Sequence, residues 1–241
     1  MDGGAFNQHY AEPLSGGGAG LALDILWNTE DTLKLDTTPA EAGLTNGMVF
    51  VVRKHTTLGG LLPDGGGFTP FSDTISLFGS NGLQTTYFYS SFSNTWITVL
   101  GVDSTNVVVR PGQGFVIQVG TAKAVLFGKG EVCHLKTTPT RIRAHANVPN
   151  IIGAMNPLGG TNTTLGALGI TTSLQPFNDS LVTLNPGSLT QTGTYLSTGS
   201  SLMNVGTAQN GDTVNVSAGT GVVINVNTAK NVQLAPVGVA P

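Results

Sequence analysis

Apolar residues fall at every second position over much of the chain. Val107 and Val109, then Phe115, Ile117 and Val119, alternate with their neighbours on either side of Arg110-Pro111-Gly112-Gln113, which is the spacing of strands with one face in a core. Pro111 presets φ for the first turn position, and Gly112 can take the positive φ of the next. The segment reads as strand, turn, strand. Nearer the start, residues 21–27 and 32–36 flank the polar Asn28-Thr29-Glu30-Asp31 and read as a hairpin, with residues 48–52 as a further strand. No apolar pattern of helical period outlasts about two turns, and residues 39–43 form one short helical turn at most. The expected fold class is all-β.

The pattern occurs twice. Residues 107–126 align without gaps on 214–233, with eleven of the twenty positions identical. The same offset of 107, or 106 with a one-residue gap, pairs Thr57-Leu58-Gly59 with Thr164-Leu165-Gly166, and Pro70-Phe71-Ser72-Asp73 with Pro176-Phe177-Asn178-Asp179. Solenoid repeats run about 20 to 50 residues, so a period this long signals a duplicated domain. The expected organisation is tandem β-sandwich or barrel-like domains over 56–143 and 144–241. Residues 1–55 form a β segment packed on the first repeat, since a hairpin plus one strand cannot build a core alone. In the second turn Ala218 replaces the proline while Gly219 and Gly221 are kept, so glycine is what the turn requires.

Charge narrows the reading. Asp, Glu, Lys and Arg make up 10% of the 241 residues, where about 25% is usual. Thr, Asn and Ser supply 65 residues against 23 charged ones, so the surface is hydroxyl and amide. A net charge of −3 provides no basic field for nucleic acid, and no apolar run is long enough to span a bilayer as a helix. Beyond residue 143 only Asp179, Asp212 and Lys230 are charged, which suits a surface meant for protein contact. The strand Gly221-Val-Val-Ile-Asn-Val226 carries none of the charges or prolines that guard a sheet edge, so it is either covered within the fold or meant to be paired by another chain, and self-association is expected through strand edges or the low-charge face of the second domain.

Candidate chemistry is sparse. Cys133 and His134 are adjacent and would point to opposite faces of a strand, so the histidine cannot serve the thiol as a base. His9, His55, His134 and His145 show no ligand spacing. Asp73 and Asp179 share a repeat position and Asp103 lies in another loop; these are weak calcium candidates, against the plainer account of aspartates bonding turn amides. Metals and cofactors are otherwise not expected. After residue 131 only Asp179 and Asp212 remain as carboxylates, so any hydrolytic site is confined to residues 1–131, and an enzyme is not expected. The contrast between copies is more informative. Tyr87 has a counterpart in Tyr195, whereas Phe88, Tyr89, Phe92 and Trp96 are additional. These four are the candidate ligand or subunit contacts, able to stack on sugars or seat a neighbour, unless they pack under the N-terminal segment.

The succession Gly20-Leu-Ala-Leu-Asp-Ile-Leu, Asn28-Thr, Asp31-Thr-Leu-Lys-Leu, His55-Thr-Thr-Leu-Gly, Phe71-Ser-Asp, Thr86-Tyr-Phe-Tyr, Arg110-Pro-Gly-Gln-Gly-Phe-Val-Ile and Pro139-Thr-Arg-Ile resembles an uncharacterised family of secreted β-rich proteins of Verrucomicrobia and related bacteria. The Pro-Gly-Gln-Gly-Phe element is similar to one in bacterial surface proteins more widely. The resemblance implies export, a β fold and no known catalysis. Residues 1–4 show neither the basic nor the apolar region of a signal peptide, and composition favours an extracellular or cell-surface mature form. The expected function is that of a non-enzymatic structural protein whose partners are copies of itself, the alternative being a carbohydrate-binding or adhesive module built on the first-repeat aromatics.

Overall fold

A computed structural model describes residues 6, 8–128, 140–153, 163–185, 188–216 and 221–235. Strands dominate these residues, beside one α-helix of four residues and three short 3-10 turns. The chain is all-β, as its alternation predicts. Cys133, His134 and the turn glycine Gly219 lie outside the described residues.

Four strands, β1 (His9–Pro13), β2 (Leu23–Asn28), β3 (Leu33–Leu35) and β4 (Phe50–Lys54), form an antiparallel sheet in the order β3-β2-β1-β4. The expected hairpin is β2–β3; β1, which the alternation does not reveal, completes the sheet by pairing with β2 and β4. The sheet buries a small cluster of its own, Leu21, Leu23 and Ala42. It also touches both halves of the chain: Asp24 pairs with Arg110, and the Gly20 carbonyl accepts the Arg141 N–H at 3.0 Å. The segment is thus shared, not packed on the first repeat alone.

The first half runs through β5 (Thr56–Thr57), α1 (Leu58–Leu61), β6 (Thr74–Phe78), β7 (Gln84–Ser90), β8 (Thr95–Thr98), β9 (Val108–Val109) and β10 (Phe115–Gln118). Its main sheet has the order β10-β6-β7-β8 and its second layer is the β5–β9 pair with α1. Leu58, Leu62, Phe68, Ile75, Tyr87 and Trp96 fill the space between. The second half runs through β11 (Thr140–Ala144), β12 (Asn150–Gly153), β13 (Thr163–Thr164), β14 (Ser180–Leu184), β15 (Gln191–Ser197), β16 (Leu202–Asn204), β17 (Asn215–Val216), β18 (Gly221–Asn225) and β19 (Lys230–Leu234). Here the order is β12-β18-β14-β15-β16, with β13–β17 and β11–β19 as separate pairs. The layers are sandwich-like, and no described sheet closes into a barrel. Because β11 pairs with β19, the strand straddles the expected boundary at 143/144, and Arg141 and Arg143 are carried by the second half.

Matched residues make matched bonds. The Leu58 N–H donates to Val107 O as Leu165 N–H does to Val214 O, and Gly59 to Thr105 as Gly166 to Asp212. Thr57 Oγ1 accepts the Gly60 N–H, and Thr164 Oγ1 that of Ala167. A carboxylate clip with a buried aspartate is another of these correspondences. Asp73 accepts the Thr69 N–H at 2.7 Å and the Gly120 N–H at 2.9 Å, and its other partner is the Lys123 ammonium. Asp179 accepts the Gln175 N–H at 2.7 Å and the Asn227 N–H at 3.1 Å, and is met by Lys230. Each clip ties the turn before the first long strand of its sheet to the segment beyond the last. Four of the charged side chains are thereby fully committed.

Strand edges are also handled alike. Along β8, Thr98 N–H donates to Val102 O and Ser104 N–H to Trp96 O; along β16, Asn204 N–H donates to Gln209 O and Gly211 N–H to Leu202 O. Each edge strand is therefore closed by its own following loop. Of the two expectations for the unguarded strand 221–226, cover within the fold is the one met: it lies between β12 and β14 and needs no guard because both of its sides are paired. At the junction, β12 pairs with β18 and its other side meets the turn before β10, with Gly114 N–H donating to Ile151 O at 2.9 Å and Gly153 N–H to Gly112 O at 3.1 Å.

The clips set the acid limit of the fold. Hydrogen bonds from Lys123 and from the Thr69 and Gly120 amides hold the Asp73 carboxyl far below its ordinary value of 3.8. Burial pushes Asp179 upward, but Lys230 and two amides outweigh it and the net shift is down. A depressed carboxyl contributes stability that is complete above its ordinary value and is lost as pH falls below it. Melting temperature is therefore expected to fall steeply below about pH 4. Asp179→Asn, which strands the Lys230 ammonium, is expected to cost about 3–5 kcal/mol in urea unfolding at neutral pH and to flatten that acid limb; unchanged unfolding would deny the clip its role.

Candidate functional site

The four extra aromatics separate into different roles. Trp96 is 1% exposed, donates its indole N–H to Leu62 O at 3.1 Å and meets Phe68 edge-on at 5.2 Å between ring centroids. Tyr89 is also buried and lies against Trp96. Phe88 is half-buried, on the opposite face of β7. Phe92 is 91% exposed and its ring meets that of Phe71. Tyr89 and Trp96 therefore cannot contact a ligand or a subunit, and what covers them is the first half's own core, not residues 1–55.

The registers give the reason. Tyr89 opposes Trp96 where Ser197 opposes Leu202, so the aromatics are larger core residues at matched positions. Gly65 makes room: a Cβ there would stand 2.5 Å from the Tyr89 ring, and its φ of +80° favours glycine. In the second half Ser197 stands at the matched position and its hydroxyl donates to Thr171 O. The glycine run 65–67 is a packing device.

The calcium candidates are turn aspartates. The oxygens of Asp73 and Asp179 receive amides and face a lysine ammonium, which opposes a cation. Asp103 is exposed and accepts the Thr105 N–H; at the matched place Asn210, which is uncharged, accepts from Asp212. Charge is not what that loop uses.

Two surfaces remain. The first is the outer face of each main sheet. In the first half Thr74, Ser76, Thr86, Phe88, Ile97 and Val116 alternate with core residues, and the Ser76 and Thr86 hydroxyls bond at 2.8 Å with Gln84 donating to Ser76 at 2.9 Å. In the second half Ile151, Val182, Thr194, Leu196, Met203 and Val223 hold this side. Neither set contains a charge. Exposed Val99, Leu100 and Val102 border the first face beside Phe88, and exposed Val205 follows β16. Phe71 and Phe177, exposed at matched positions, both have φ of +58°, a conformation that costs a bulky residue energy. The duplicated Pro-Phe pair was the available signal for them.

The second surface is a cleft of about 650 Å³ where the N-terminal sheet and both halves converge. Its walls include Asp36, Glu41, Phe78, Arg110, Pro149 and Ile151, together with Arg141, Arg143 and His145. The Pro-Gly-Gln-Gly turn positions Arg110: Gln113 N–H donates to Arg110 O at 3.0 Å, Gln113 Oε1 accepts the Arg110 N–H at 2.9 Å, and Gln113 Nε2 reaches Phe78 O at 3.0 Å. Arg110 Nε then meets Asp24 at 3.0 Å, and Asp24 lies 3.1 Å from His55 Nε2. Burial raises the Asp24 carboxyl, but His55 and Arg110 outweigh it and hold it low. Burial and the Asp24 charge push Asp36 up. Burial, then Arg143 and Arg110, push His145 down. Among the described residues no group of three His, Cys, Asp or Glu could hold a metal.

Trp96→Ala is expected to destabilise the fold by about 3–5 kcal/mol in chemical unfolding. Phe92→Ala should change it by no more than about 0.5 kcal/mol; equal effects would refute the assignment of one to the core and the other to solvent. Searches of protein-family models, of curated proteins and of solved structures find no match for this chain.

Proposed function

We propose that this chain is a non-enzymatic extracellular or cell-surface structural protein that associates with copies of itself through the uncharged outer faces of its two main sheets. The observation that carries the reading is that both faces are free of charge while keeping half-buried apolar side chains, Phe88 and Ile97 on one, Leu196 and Met203 on the other. Soluble monomers usually intersperse charge over such surfaces, and apolar faces rimmed by polar groups serve contact. The three charges beyond residue 143 are spent inside the fold: Asp179 and Lys230 on each other, and Asp212 on the Leu202 N–H at 2.9 Å. The strained, exposed Phe71 and Phe177 add apolar contact points at matched places. With β8 and β16 closed by their own loops, the faces rather than the edges are the favoured route.

Sedimentation velocity over a range of concentrations should show assembly. Thr86→Lys and Thr194→Lys, which put a charge on each face at matched positions, should shift the protein toward monomer by at least tenfold in apparent dissociation constant while circular dichroism stays unchanged. A wild-type protein that remains strictly monomeric at millimolar concentration would overturn the reading.

A further inference from the structure

The chain has four arginines, and three of them line the cleft between the N-terminal sheet and the two halves. Strand alternation puts Arg141 and Arg143 on one side of β11, with Ile142 packed against the second core; Arg110 enters from the turn before β10. Their countercharges are unequal. Arg110 is well paired with Asp24. Among the described residues the one carboxylate within 4 Å of Arg143 is Glu41, at 3.9 Å. Arg141 donates to a neutral amide, Gln233 Oε1, at 3.1 and 3.3 Å, and among the described residues no carboxylate lies within 4 Å of it. His145 stands beside them, its side chain without a hydrogen bond among the described residues.

Two arginines two positions apart on one face of β11, in a partly enclosed site and, among the described residues, with no carboxylate closer than 3.9 Å, offer the planar fork geometry that an oxyanion fits. The remaining lining bears on the size and kind of ligand. A space of about 650 Å³ greatly exceeds what an inorganic ion fills and lies in the range of sites that enclose a molecule of about two or three rings. Asp36, Glu41, Thr37 and Ser80 supply acceptors for hydroxyl groups, and Phe78 and Pro149 supply apolar surface for the C–H face of a ring. We propose that this cleft binds an acidic oligosaccharide, a short chain of hydroxylated rings carrying carboxylate or sulfate, with Arg141 and Arg143 taking the oxyanion and Asp36 and Glu41 the neighbouring hydroxyls. The cleft borders the second sheet's outer face at Ile151, but its charged groups lie on β11, residues 36–41 and the turn before β10, and its test reads sugar binding instead of assembly.

Titration calorimetry on the full chain tests it with four probes: trigalacturonate, a sulfated disaccharide, maltotriose and inorganic sulfate. At least one acidic sugar should bind ten times more tightly than maltotriose and than inorganic sulfate, and should weaken as salt is added. The preferred acidic probe tells carboxylate from sulfate. Arg143→Gln, whose side chain is 40% exposed and only loosely paired, should weaken that binding at least tenfold without altering the melting temperature. A second readout needs no variant. Arg143 and Arg110 oppose protonation of His145, so a bound oxyanion should raise its pKa, seen as an upward shift of its titration by nuclear magnetic resonance. Maltotriose or inorganic sulfate binding as tightly as the acidic sugars, unchanged binding by Arg143→Gln, or an unmoved His145 titration in saturating ligand would each overturn the proposal.

Discussion

A buried aspartate held by two backbone amides and a lysine is the contact on which each half of this protein closes. It joins residues 50 apart in the first half and 51 apart in the second. In both it fastens the turn before one inner strand to the stretch after its neighbour. Removing two charges from water is costly, and a pair of this kind holds only when geometry and further hydrogen bonds satisfy the remaining lone pairs. Both conditions are met twice, through different side chains at Thr69 and Gln175 and at Gly120 and Asn227. Since it is backbone amides that donate, those four residues were free to diverge while the Asp and Lys were kept.

Within that frame the two halves reached the same layering with different fillings. Trp96 and Tyr89, with Gly65 against the Tyr89 ring, stand at the registers that Leu202 and Ser197 hold in the second half. A large ring in one layer requires the loss of a side chain in the facing one, because interiors are packed to near-crystalline density. The aromatic run 87–96 is therefore mostly an internal matter, and only its alternate members reach the outside.

The surface divides into two chemistries. The outer sheet faces combine hydroxyls with half-buried aliphatic and aromatic side chains and no charge, whereas the cleft gathers three guanidiniums, a lysine ammonium, two carboxyls and an imidazole. A chain with few charges has thus placed many of them either in internal clips or around one opening. The proposed contact between non-ionic faces and the proposed capture of an acidic sugar draw on different groups, so one chain can hold both.

Alternation of apolar residues was enough to read the β class, the hairpin at β2–β3 and the turn at Pro111-Gly112, because these depend on neighbours a few positions apart. The duplicated segments likewise pointed to Asp73 and Asp179, and to Lys123 and Lys230, as matched pairs, though not to the contact between aspartate and lysine. Period-two patterns state that one face of a strand is buried but not what buries it, so Trp96 and Tyr89 read as spare surface until the facing glycine was in view. The same limit applies to 221–226, whose uncharged run suits a central strand as well as an exposed edge. Arg110 and Arg141 are far apart along the chain and meet only because β11 crosses to β19 and the N-terminal sheet touches both halves. Long-range pairing, which local spacing does not encode, assembled the cleft.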